Sequence, residues 1–341
     1  MRERNLSIDA IKGLAIVLVM FGHVFVHNHM EDPYVYDFIK AVQMPLFIII
    51  SGYLCGQGRK IENLKSYGKI MEKRAVAYLV PMFAWLTIKH LDELFFAYKT
   101  IFIQLDYGLW FLGVLFVLTF MVYTAQLAAA KLSKKNKMLS ELVFWAVYGV
   151  LCLILVVQIL TGNSFLSPNL TIIYVPFYLM GYVAAVYGKR FFCWDCDIDA
   201  RLDLKKSYFV KAAVAIASVV FLYLLAAKNL NSMESRLDVL VQMAASMLGC
   251  ITIIYGVFSL KDGKIKNIFA KIGNYTLELY VIHYHFANML NFNNKQYDFY
   301  TPEGVMFVVL SFVAMCAVTF CCIWVMKKIK LVDFLFFGKK S

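Results

Sequence analysis

Charge is scarce in this chain. Asp, Glu, Lys and Arg together make up only 16% of 341 residues, against 61% hydrophobic residues, and the mean hydropathy is +0.67. A soluble fold of this length could not hide so much apolar surface, so two or three water-soluble domains are excluded. No soluble-type linker, low-complexity stretch or repeat interrupts the chain, and no inverted repeat of transporter type is visible. Cysteine supplies no framework either. Cys55, Cys152, Cys250, Cys316, Cys321 and Cys322 lie in apolar runs, where the thiol behaves as a small hydrophobe. Cys193 and Cys196 form a lone CxxC, which makes neither a four-ligand zinc site nor a disulfide scaffold. A small-residue cleavage site is missing after the first apolar run, Ile11 to Val26, which therefore reads as a span and not as a removed signal peptide.

What is present is a series of continuous apolar runs of about 20 residues, the length that crosses a bilayer as a helix. Continuity, as opposed to alternation, favours helices over a barrel. The runs fall at about 8–28, 39–56, 75–95, 108–130, 140–160, 170–188, 209–227, 236–259, 273–291 and 303–326. The expectation is an all-α polytopic membrane protein with about ten transmembrane helices, residues 1–341 forming a single membrane-embedded domain.

The net charge of +12 would suggest a nucleic-acid or acidic partner on a soluble protein. Its distribution gives another reason. Of the 34 basic residues, 26 fall at the N-terminus, in every second break and in the C-terminal tail. The five intervening breaks hold only Lys99, Lys228 and Lys295. This positive-inside bias places both termini in the cytoplasm of a plasma-membrane protein and leaves no role for nucleic acid. The longest break, about 189–208, mixes Asp195, Asp197, Asp199 and Asp203 with its basic residues and reads as a small cytoplasmic loop.

Ionisable residues inside spans are costly and mark function by default. The first span carries Asp9, Lys12 and His23. Eleven residues separate Lys12 from His23, which puts them within about 20° on one helix face and roughly 16 Å apart along it. Asp9 precedes Lys12 by three and can pair with it, and His27 follows His23 by one turn. Lys12 can equally snorkel to the headgroups with Asp9 as its neutralising partner, and His23 can be an interior hydrogen-bonded residue. His27 and His29 fit an interfacial position. The ninth span carries Glu278, His283 and His285; His283 lies near mid-membrane, with an interhelical hydrogen bond as its plainer role. Glu278 and His285 are seven apart and can pair. Lys89, His90, Asp92 and Glu93 resemble a solvated helix end. In the second span, Pro45 and Ser51-Gly52-Tyr53 allow a break or a close backbone approach, with Ser51 free to bind substrate or to bond back to a carbonyl.

Five stretches then resemble the acyltransferase-3 family of integral membrane O-acyltransferases. They are LSIDAIKGLAIVLVMFGH ending at His23, MPLFIIISGYL from Met44, KRAVAYLVP from Lys73, LWFLGVLF from Leu109 and IGNYTLELYVIH ending at His283. They stand in family order over nearly the whole chain. The resemblance implies transfer of an acyl group, acetyl first among the options, from cytoplasmic acyl-CoA to a hydroxyl of a cell-envelope glycan, exopolysaccharide or lipid-linked sugar. It implies His23 as the catalytic histidine. Imidazole suits this work, because removing a hydroxyl proton needs a base near neutrality. Lys12 stands where the family has arginine, keeping the charge and losing the bidentate fork. Gln43 stands where a histidine often precedes Met-Pro-Leu-Phe, and Tyr78 where a second arginine is common.

The resemblance further implies that acetyl-CoA is a co-substrate and that no cofactor is permanently bound. Its phosphates would meet Lys12, Lys73 and Arg74. Trp110 would line the chamber or anchor the interface, and Asp9, Ser51 and His283 complete the expected substrate- and donor-binding set. No metal ligand is expected. Partners are the bilayer, the glycan acceptor, and either a second copy of the chain or other proteins of glycan synthesis. The competing classes are a glycan or small-molecule carrier or flippase, separable by acyl-CoA consumption, and a non-catalytic regulator of a synthase. The sequence contains no esterase-like appendage, so the reaction is expected within the bundle or with a partner protein.

Overall fold

The computed structural model describes residues 5–30, 34–132, 136–192, 208–227, 235–291 and 295–339. Arg2, Arg4, Lys134, Lys135, the Cys193/Cys196 pair, most of the 189–208 break, Lys228 and Lys340 lie outside the described residues.

Among the described residues every regular element is helical. In chain order they are α1 (Leu6–His27), α2 (Tyr34–Gly56), α3 (Leu64–Lys89), α4 (Leu94–Ile101), α5 (Trp110–Leu132), α6 (Lys137–Leu160) and α7 (Pro168–Phe192). There follow α8 (Tyr208–Ala227), α9 (Arg236–Ser259), α10 (Lys264–Gly273), α11 (Thr276–Ile282), α12 (Pro302–Met326) and α13 (Lys330–Phe337). Short 3₁₀ turns occupy Leu105–Tyr107 and His283–Phe286.

Eight of these helices are long and apolar enough to cross a membrane: α1, α2, α5, α6, α7, α8, α9 and α12. The chain is a polytopic α-helical membrane protein. Two of the ten expected spans differ. Helix α3 has 26 residues, but Lys65, Lys69, Glu72, Lys73 and Arg74 fill its first half, leaving an apolar stretch too short to qualify. The expected ninth span is not one helix. Past Gly273, the last residue of α10, only Thr276–Ile282 of 273–291 is α-helix: Asn274 and Tyr275 separate it from α10, and this seven-residue α11 tightens at once into the His283–Phe286 3₁₀ turn.

Large apolar side chains face outward, as lipid solvation requires and water would not allow. Examples are Val150, Leu153 and Val157 on α6, Val219 and Leu222 on α8, and Leu310, Val313 and Trp324 on α12.

The chain divides into two compact units, Met1–Ile50 with Val183–Val325 and Ser51–Tyr182 with Met326–Ser341. In the first unit α1 is the central element. Asn5 caps it, its side chain accepting from the backbone N–H groups of Ser7 and Ile8 at 3.0 and 3.2 Å. Ala15, Ile16, Val19, Met20, Val24 and Phe25 are buried. Gly13 and Gly273 let α1 and α10 meet backbone to backbone. A Cβ on Gly13 would collide with the Phe269 carbonyl, and one on Gly273 with that of Asp9. Phe21 packs edge-on to Phe312 of α12, ring centroids 4.9 Å apart.

In the second unit Gly52 does the same work: a Cβ there would strike the carbonyl of Tyr178 on α7. At its C-terminal end α13 docks on α3, where Trp85 Nε1 donates to the Phe336 carbonyl at 3.4 Å and the two rings meet at 5.2 Å. Gly338 follows in the left-handed conformation, at φ 62°, against Val76 and Ala77.

Candidate active site

The first unit gathers imidazoles. His23 and His27 lie one turn apart on α1 with ring centroids 5.7 Å apart. His283, from the turn after α11, brings its ring to 5.0 Å from His23. Tyr284 stands edge-on to both α1 histidines, at 5.4 Å from His23 and 4.6 Å from His27. A long-range clamp holds the two segments in register. Asn28 caps the C-terminal end of α1 and is fully buried; its Nδ2 donates to Val24 O at 2.7 Å and across to Ala287 O at 3.1 Å.

The site's hydrogen bonding is unfinished. His283 is 1% exposed, and its Nδ1 lies 2.7 Å from the Leu279 carbonyl. A carbonyl only accepts, so Nδ1 carries the proton and Nε2 presents a lone pair. Among the described residues that Nε2 is buried without a partner, as are His23 Nδ1, His27 Nε2, Asn28 Oδ1 and Gln43 Oε1. Gln43 belongs to the same neighbourhood: a Cβ built on Gly22, beside His23, would fall 2.7 Å from its Oε1. Buried polar atoms are rarely left unpaired, so such a group calls for a ligand. The lone pairs of Asn28 Oδ1 and Gln43 Oε1 ask for donors, and hydroxyl groups supply them.

The remaining sequence-derived residues of this unit fall as follows. Asp9 and Lys12 form an ion pair of 2.5 Å at the other end of α1, with Lys12 24% and Asp9 13% exposed at the side chain. The 3₁₀ turn removes the seven-residue register between Glu278 and His285: Glu278 is buried at 1% and His285 is exposed.

In the second unit Lys73 is exposed and Arg74 half-buried, as neighbours on α3 must diverge by about 100°. Arg74 Nη1 donates to the Tyr78 hydroxyl at 3.1 Å, and its charge also reaches Tyr123. Among the described residues no carboxylate pairs with it. Tyr78 therefore ties down Arg74. Buried Cys55 adjoins the hydroxyls of Tyr123 and Tyr178, and Tyr178 also bonds Thr119 at 3.0 Å. Ser51 is half-buried. Trp110 stacks on Tyr174, centroids 5.4 Å apart and planes 25° apart, a packed position at the start of α5. His90, expected at a solvated helix end, instead stacks on Tyr107 at 4.5 Å, and its Nδ1 lies 3.3 Å from that hydroxyl. Among the described residues no group of three or more His, Cys, Asp and Glu is placed to hold a metal ion.

The matched family model settles the lineage. It is the acyltransferase domain of the acyltransferase-3 proteins, and it aligns with residues 5–327. The chain belongs to the acyltransferase-3 family. Two curated relatives share a segment with this acyltransferase-3 protein. Nodulation protein NolL of Sinorhizobium fredii (strain NBRC 101917 / NGR234) is 32% identical over 92 residues, and Nodulation protein NolL of Mesorhizobium japonicum (strain LMG 29417 / CECT 9101 / MAFF 303099) is 34% identical over 92. Each match covers 25% of this chain, and the chain spans about a quarter, 24%, of the length of these relatives. No solved structure gives a significant match.

Sequence reasoning singled out His23 and His283 separately. It passed over Tyr284 and Asn28 and treated His27 as interfacial. Tyr284 directly follows His283, and Asn28 is a polar cap at the end of an apolar run; those were the available signals. Cys55, Tyr123 and Tyr178 carry none, since an apolar run rich in aromatics reads the same whether or not its hydroxyls converge.

Proposed function

We propose that this protein is a membrane O-acyltransferase. It moves an acyl group, acetyl in the simplest case, from cytoplasmic acyl-CoA to a hydroxyl of a cell-envelope or exopolysaccharide glycan or of a lipid-linked sugar. Family membership supports the reaction class. The observation that carries the acceptor assignment is the pair of buried, unpartnered amide oxygens beside the histidines, Asn28 Oδ1 and Gln43 Oε1, which suits a ligand rich in hydroxyls.

In this reading His23 is the base. As the acceptor oxygen attacks the thioester carbonyl, its proton passes to the His23 imidazole. The C–O bond forms, the C–S bond breaks, and the imidazolium returns the proton to the departing CoA thiolate. His27, Gln43, Tyr284 and Asn28 surround the acceptor. Lys12, Lys73 and Arg74 are the cations assigned to the polyanionic donor. Arg74 has the best claim, because a half-buried guanidinium without a carboxylate partner favours an incoming phosphate. Asp9 holds Lys12, and Ser51 and Trp110 stay assigned to substrate contact. Both termini lie in the cytoplasm. The family match crosses both compact units, which supports one acyltransferase domain.

The test is acetyl transfer from labelled acetyl-CoA to the host's envelope glycan by purified His23→Ala and His23→Gln. Removal of one positioned base costs about 10²–10⁴ in rate. Both variants are expected to lose activity by that amount while melting in detergent like the parent. An active His23→Gln would reject His23 as the base, since an amide cannot take the proton.

A further inference from the structure

The base needs a defined tautomer, and the structure shows what can define it. A neutral imidazole has one N–H and one lone pair. To act as a base it must turn the lone pair to the acceptor and place the N–H elsewhere. In this low-dielectric interior the N–H must find an acceptor, and that acceptor gains importance once the ring is charged.

Among the described residues His23 Nδ1 is buried with no partner, and so is His283 Nε2. The second atom is an obligatory acceptor, because His283 Nδ1 is committed as donor to Leu279 O at 2.7 Å. Two imidazoles joined in line by an N–H···N bond of about 2.9 Å have centroids about 5 Å apart. The His23 and His283 centroids are 5.0 Å apart, the separation that such a bond needs, with planes inclined at 56°. His27 is the alternative partner. Its centroid is farther, at 5.7 Å, and among the described residues no carbonyl fixes its tautomer. The other groups facing the pair are Tyr284, edge-on to His23, and Tyr280, 6.4 Å from the His283 ring.

We propose that His283 is a positioning residue for acyl transfer: its Nε2 accepts His23 Nδ1–H, which fixes His23 as the Nδ1–H tautomer and leaves Nε2 as the base. During transfer Nε2 takes the hydroxyl proton, and His283 holds the resulting imidazolium through the same Nδ1–H. The proton then leaves Nε2 for the CoA thiolate, and His283 is never protonated. The carbonyl of Leu279 orients His283, so a relay runs from backbone to His283 to His23 to acceptor. The inference rests on the assignment of His23 as base, and it concerns what the second histidine does.

The experiment pairs a tautomer readout with kinetics on the full-length protein in lipid vesicles. With six histidines in the chain, ¹⁵N-histidine solid-state spectra are sparse, and His23→Gln assigns the His23 signals. The parent is expected to show His23 as Nδ1–H. His283→Gln keeps an acceptor in the amide oxygen and should preserve that tautomer. His283→Leu removes the acceptor and should give a tautomer mixture. With labelled acetyl-CoA and host envelope glycan as probes, His283→Leu should lower kcat about 10- to 100-fold, the worth of one hydrogen bond to a charged group. KM for acetyl-CoA should stay within about 2-fold. His283→Gln should recover most of kcat.

Three results overturn the inference while His23→Gln remains inactive. One is His23 as Nε2–H in the parent. Another is a parental kcat for His283→Leu, including the case where only its melting temperature falls. The third is His283→Gln as inactive as His283→Leu with the His23 tautomer intact in both, which would make His283 a proton carrier. An active His23→Gln instead removes the base assignment itself.

Discussion

Asn28 offers the sharpest test of how the histidine pair is held. Its Nδ2 makes two bonds, to Val24 O at 2.7 Å and Ala287 O at 3.1 Å, and the second links the end of α1 to the segment that follows His283. Asn28→Ala deletes both. Side-chain hydrogen bonds within membrane proteins contribute about 0.6 kcal/mol each on average and about 1.7 at most, so the loss is about 1–3 kcal/mol. Asn28→Asp is nearly isosteric and, by size alone, should be milder. The donor count predicts the reverse. A carboxylate puts one acceptor oxygen, in place of Nδ2, within 2.7 and 3.1 Å of two carbonyl oxygens, in a position with 0% exposure. Burying such a charge without a partner costs several kcal/mol.

The expected order of melting temperature in detergent is therefore parent, then Ala, then Asp. Acetyl transfer should fall in the same order, because the clamp sets the 5.0 Å separation of His23 and His283. Asn28→Asp melting with the parent, or transferring acetyl faster than Asn28→Ala at matched folded protein, would refute the reasoning.

Three further outcomes are expected. Gly13→Val should abolish folded protein, since its Cβ would overlap the Phe269 carbonyl where no flexible side chain can yield; a parental yield of folded protein would contradict the backbone contact. Arg74→Gln should raise KM for acetyl-CoA about 10-fold or more with a smaller effect on kcat, the mark of a lost ground-state ion contact, whereas an unchanged KM would remove Arg74 from the donor site. A reporter active only outside the cytosol, fused after Ser341, should be silent; strong activity would invert the proposed topology.

The spans were legible because hydropathy is a long, additive signal: Tyr208–Ala227 and Arg236–Ser259 fall almost on the runs read as 209–227 and 236–259. The shortness of the ninth element was not, since nothing local marks the point after Ile282 where α11 tightens into the His283–Phe286 3₁₀ turn. His23 and His283 were each visible as polar residues in apolar runs. Their meeting was not, because 259 positions of sequence separate the equivalent clamp between Asn28 and Ala287. The divergence of Lys73 and Arg74 follows from helix geometry alone. Which of the two is half-buried depends on the tyrosine hydroxyls of α3 and α5, and no local pattern announces those.

The docking of α13 on α3 has a practical consequence for anyone attaching a label. The Trp85–Phe336 contact lies before Gly338, so a fluorophore, affinity handle or topology reporter joined after Ser341 replaces none of its residues. Cutting the chain back to Met326 would strip the indole of its hydrogen-bond acceptor and bare the α3 wall around Val76 and Ala77, against which Gly338 rests. A shortened variant that misbehaves would then report on a missing buttress and say nothing about which side of the membrane its end occupies.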